Sequence, residues 1–115
     1  IHANSAATSI IKGNMVKLAI KNNSVAYGIS AIGSNASIVN NTIVANGTPL
    51  SYHVGIGCGA SGVISGNIVI GLGKVFNASF ATSNVPCSQL TTPITNNLCF
   101  SNSVACPAGN GGGGI

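Results

Sequence analysis

The sequence predicts an all-β solenoid of about four coils, and three observations predict it. A six-residue phrase occurs four times at a near-constant spacing, a second strand-like phrase runs in phase with it, and the apolar residues are mostly Ile, Val and Ala. The first phrase reads Ile11-Lys12-Gly13-Asn14-Met15-Val16, Ile38-Val39-Asn40-Asn41-Thr42-Ile43, Ile64-Ser65-Gly66-Asn67-Ile68-Val69 and Ile94-Thr95-Asn96-Asn97-Leu98-Cys99. Its key asparagines lie 27, 26 and 30 residues apart. A period of this size marks stacked units that touch only their neighbours.

The second phrase comprises Ile1-His2-Ala3, Ile29-Ser30-Ala31, Ile56-Gly57-Cys58 and Val85-Pro86-Cys87. Each runs apolar, variable, small, the alternation of a strand with one face inward. Gly28 and Gly55 precede two of these phrases, where a glycine is expected to turn the chain into the strand. One domain spans 1–115, with coils at roughly 1–27, 28–54, 55–84 and 85–112, at least two strands in each, and a flexible Gly-rich tail over Gly111–Gly114. The strand phrase stands at the first residue, so the chain is expected to be a processed product or a fragment.

If each unit lies about 4.8 Å above the last, equivalent side chains form columns. Ile11, Ile38, Ile64 and Ile94 form one apolar column, and Val16, Ile43, Val69 and Cys99 another. Asn14, Asn41, Asn67 and Asn97 form a polar column. A side-chain amide both donates and accepts, so stacked amides can satisfy one another, as a buried polar row requires. Asparagine also favours turns; its constant offset from the isoleucine is what favours a ladder.

The phrase Ile-x-(Gly/Asn)-Asn-x-apolar, recurring at this period after a Gly-Ile strand, resembles the right-handed parallel β-helix of the pectate-lyase-like family, which has an asparagine ladder at one corner. The resemblance spans nearly the whole chain. It implies a right-handed parallel β-helix and says little about activity, because that fold hosts lyases, hydrolases, epimerases, adhesins and tail spikes.

Charge narrows the function. The chain has no Asp, Glu or Arg; its charged side chains are Lys12, Lys17, Lys21 and Lys74. Glycoside chemistry needs paired carboxylates, and calcium sites need carboxylate oxygens. The groups on which the resembled enzymes rely are therefore missing, and no catalytic residue, metal or cofactor is expected. His2 and His53 have no carboxylate to orient them. Few aromatics accompany the net charge of +4, so nucleic acid is not an expected partner. No apolar run reaches the length of a membrane span.

The four cysteines, Cys58, Cys87, Cys99 and Cys106, include no Cys-x-x-Cys pair, which argues against zinc. Cys58 and Cys87 hold the same place in successive phrases and are expected to bridge adjacent coils, leaving Cys99 and Cys106 as a local pair. Five Asn-x-Ser/Thr acceptor sequences begin at Asn22, Asn35, Asn40, Asn46 and Asn77. Of these, Asn22, Asn46 and Asn77 fall in expected loops. Both features suit an extracellular or cell-surface compartment. Two functions compete: a structural subunit stacking head-to-tail with copies of itself into a glycan-bearing filament, and a carbohydrate-binding or adhesive domain of a larger surface protein. An ice-binding solenoid is weaker, since Thr91-Thr92 is the nearest approach to an outward threonine row.

Overall fold

Short β-branched runs bounded by Gly and Asn make short strands. The computed structural model describes residues 1–3, 8–19, 26–31, 36–46, 53–57, 62–71, 74–80, 83–85, 94–100 and 110–111. Among them are twelve strands and no helix: β1 (Ile10–Lys12), β2 (Met15–Ala19), β3 (Ala26–Ser30), β4 (Ser37–Val39), β5 (Thr42–Asn46), β6 (His53–Gly57), β7 (Ile64–Ser65), β8 (Ile68–Ile70), β9 (Lys74–Phe80), β10 (Ser83–Val85), β11 (Ile94–Thr95) and β12 (Leu98–Phe100).

They form three four-stranded sheets, ordered β3-β6-β9-β10, β1-β4-β7-β11 and β2-β5-β8-β12. Every strand pairing except β9–β10 is parallel. Residues Ile1–Ala3 extend the first sheet, with His2 bridging Ser30 in parallel. The second and third repeats each supply three strands, one to each sheet; the first supplies β1, β2 and the His2 bridge, and the fourth adds β10 to its three.

The register stacks equivalent residues. In the second sheet Ile11 faces Ile38, Ile38 faces Ile64, and Ile64 faces Ile94. In the third, Val16 faces Ile43, Ile43 faces Val69, and Val69 faces Cys99. These columns meet Ile29 and Ile56 of the first sheet in one apolar core. Burying one such side chain contributes about 1.5–3 kcal/mol.

Three expectations need correction. The neighbour of Ile56 is Phe76, not Val85. Val85 belongs to β10, which folds back antiparallel on β9 and faces Ala78. This hairpin lies within the longest interval between asparagines, the 30 residues from Asn67 to Asn97, so the fourth repeat begins near Lys74. Gly28 and Gly55 lie inside β3 and β6 and do not turn the chain. A Cβ on Gly28 would stand 2.5 Å from Ile43 Cγ2 and 2.8 Å from the Gly55 carbonyl, so close packing requires the glycine. Finally, Gly111 is not part of a loose tail: it pairs with Leu98, its N–H donating to the Asn97 carbonyl at 2.8 Å.

Candidate functional site

The feature that unites the repeats is the corner between the second and third sheets. The residue before each key asparagine has a left-handed backbone: φ is 68° at Gly13, 54° at Asn40, 68° at Gly66 and 57° at Asn96. Glycine adopts this conformation freely, and asparagine tolerates it better than other residues with a Cβ. That is why only Gly or Asn occupies the position.

The bend aims the next side chain inward. Asn41, Asn67 and Asn97 are at most 1% exposed. The Oδ1 of Asn41 accepts from the Asn14 N–H at 3.0 Å and from Asn14 Nδ2 at 2.9 Å. Asn67 Oδ1 accepts the same pair from Asn41 at 2.9 and 3.0 Å, and Asn97 Oδ1 accepts it from Asn67 at 2.9 Å each. Each buried Nδ2 also donates to a carbonyl of the preceding repeat: Asn41 to Ile11, Asn67 to Ile38, Asn97 to Ile64. No described buried side-chain polar atom is left without a partner.

Asn110 adds a fifth rung. Its Oδ1 accepts from Asn97 N–H at 3.0 Å and Asn97 Nδ2 at 2.8 Å, and its Nδ2 donates to the Ile94 carbonyl at 3.3 Å. Sequence reasoning missed it because Pro107, not isoleucine, stands three residues before and only 13 residues separate it from Asn97. The Gly109-Asn110 dipeptide was the available signal, since Gly13-Asn14 and Gly66-Asn67 read the same way.

The column has a direction. Between rungs, each asparagine donates to the Oδ1 of the next and accepts from the one before. Oδ1 of every rung from Asn41 to Asn110 accepts two hydrogen bonds; Asn14 Oδ1 accepts none among the described residues. The same end presents β1 and β2 as edge strands. At the opposite end Asn110-Gly111 covers β12, and the β9–β10 hairpin closes the first sheet.

The other sequence candidates are dispersed. Cys99 is buried and disulfide-bonded; Cys58, Cys87 and Cys106 lie outside the described residues, and so therefore does its partner. Among the acceptor asparagines, Asn40 and Asn46 are exposed, at the left-handed corner and at the end of β5. Asn77 lies on β9, not in a loop, while Asn22 and Asn35 are outside the described residues. His2 is exposed and His53 is buried at the start of β6, so the two imidazoles have opposite environments. Among the described residues no three His, Cys, Asp or Glu side chains gather into a metal-sized group, and no helix is long and apolar enough to cross a membrane.

No family model, curated protein or solved structure matches the chain.

Proposed function

We propose that this chain is a non-catalytic structural subunit, a right-handed parallel β-helix of four coils that stacks head-to-tail into an extracellular filament. The observation that carries the reading is the open acceptor at Asn14, set between two unpaired parallel edges. Edges of this kind are templates for another chain. The ladder has one sense, so only a donor-bearing surface completes it. Two N-terminal ends brought together by a two-fold axis would oppose two acceptor oxygens. A head-to-tail contact instead continues the donor-to-acceptor order, and a contact of that type propagates. Absence of carboxylates leaves no inward or edge acid to oppose stacking.

Electron microscopy and light scattering of the pure chain at micromolar concentration test the proposal. Filaments are expected. In Asn14→Leu, loss of two intermolecular hydrogen bonds of about 1 kcal/mol each should weaken elongation about 30-fold. A wild-type chain that stays monomeric and binds an oligosaccharide would overturn it. That outcome favours the second reading, an adhesive module within a larger surface protein. Closure of the first sheet by the β9–β10 hairpin supports that alternative, because terminal units of stacked repeats are capped.

A further inference from the structure

The outer face of the third sheet is mostly apolar. Along β2, β5, β8 and β12 the inward residues alternate with outward ones. The register sets the outward positions in two columns. Met15, Ile68 and Leu98 stand in one, with Thr42 between the first two; Val44, Ile70 and Phe100 stand in the other, beyond Lys17. Met15, Leu98 and Phe100 are 65%, 41% and 37% exposed. In the second sheet the outward column of Lys12, Val39, Ser65 and Thr95 is mostly polar, with Ile10, 72% exposed, beside it.

We propose that this face is a lateral contact between filaments, and that its occupant is the same face of a second copy. The inference rests on the end-to-end stacking proposed above. Two arguments select the occupant. The first is period: strands at about 4.8 Å make ridges that another sheet of the same pitch interdigitates with along its length. The second is area. Four strands with two outward residues each cover about 19 by 13 Å, or about 250 Å². A stable interface takes about 800 Å² per partner. One subunit alone is therefore too small to dimerise through this face. Four subunits in a stack exceed the threshold, and each added subunit contributes again without a new kind of contact. Lateral association is thus a property of the filament and not of the monomer.

The test measures filament width and length separately by electron microscopy. Wild type is expected to form paired or bundled filaments. The double variant Leu98→Lys/Phe100→Lys is expected to form single filaments of unchanged length. Met15→Lys, at the most exposed position of the face, should do the same, whereas Thr95→Lys on the second sheet should leave bundles intact. Wild-type filaments that stay single at every protein concentration overturn the lateral contact and leave the stacking proposal standing, as do variants that bundle like wild type. Absence of filaments of any width overturns both.

Discussion

Replacing Asn67 by leucine tests how far the fold depends on its polar column. Leucine has the branching and heavy-atom count of asparagine but two bulkier methyl groups, so overpacking adds to the cost. The polar loss is large. Asn67 Oδ1 serves Asn41 N–H and Asn41 Nδ2, and Asn67 Nδ2 serves the Ile38 carbonyl and Asn97 Oδ1. Leucine leaves the Asn41 N–H without its acceptor, in a place where Asn41 is 1% exposed, and takes a donor from the Ile38 carbonyl; Asn41 Nδ2 keeps the Ile11 and Val39 carbonyls. Each stranded buried group costs about 1–3 kcal/mol, so with the Asn41 N–H and the Ile38 carbonyl both losing a partner Asn67→Leu should cost about 2–6 kcal/mol, much of the 5–15 typical of a domain. Asn14→Leu removes the Nδ2 bonds to Asn41 Oδ1 and to the exposed Lys12 carbonyl at a half-buried end, while Asn41 Oδ1 keeps the Asn14 N–H; its cost should be about 1 kcal/mol. Urea unfolding followed by circular dichroism reads both. With a slope of about 2 kcal/mol/M, the Asn67 variant should lose about 1–3 M in midpoint and the Asn14 variant about 0.5 M. Losses equal within about 0.5 M would refute the claim that buried rungs hold the stack.

Three further outcomes are expected. At Gly13 a Cβ meets nothing within 4 Å, whereas at Gly66 it collides with Asn40 Oδ1; Gly13→Ala should cost the left-handed strain of about 1–2 kcal/mol and Gly66→Ala measurably more, so equal denaturation midpoints would contradict the corner geometry. Non-reducing peptide mapping should find no free thiol, with Cys99 joined to Cys106 and Cys58 to Cys87; reduction should cost about 2–5 kcal/mol per bond, and a Cys58–Cys99 peptide would refute that pairing. With no Asp or Glu in the chain, the usual route of acid unfolding through paired carboxylates is closed, and the folded signal should persist to about pH 2; a steep loss between about pH 5 and pH 3, the carboxylate range, would contradict this.

The second and third sheets and four rungs were legible because one phrase carries three physical demands together: an isoleucine for the core, a left-handed residue for the bend, and an amide for the column. The first sheet was less legible. Val85-Pro86-Cys87 mimics the strand phrase in composition, while the strand that does follow β6 carries Phe76 in the isoleucine position. A three-residue pattern of apolar, variable and small residues is too permissive to separate the two. The glycines of β3 and β6 were misread for a related reason: a sequence displays freedom at φ but not the approach of Ile43. The apolar outer face of the third sheet was written in the chain as Met15, Ile68 and Leu98, yet each looked like an ordinary strand residue until the register set them side by side.

The rungs sit 27, 26, 30 and 13 residues apart, yet their amide contacts all lie between 2.8 and 3.0 Å. What the fold conserves from layer to layer is a corner, not a repeat length. Doubling a connecting loop costs only about 0.6 kcal/mol, well below the cost of losing a buried rung. Insertions and deletions between corners are therefore nearly invisible to stability. Such a scaffold can lengthen, shorten or redecorate its connections freely during evolution or design, provided each return to the corner delivers a left-handed residue followed by asparagine.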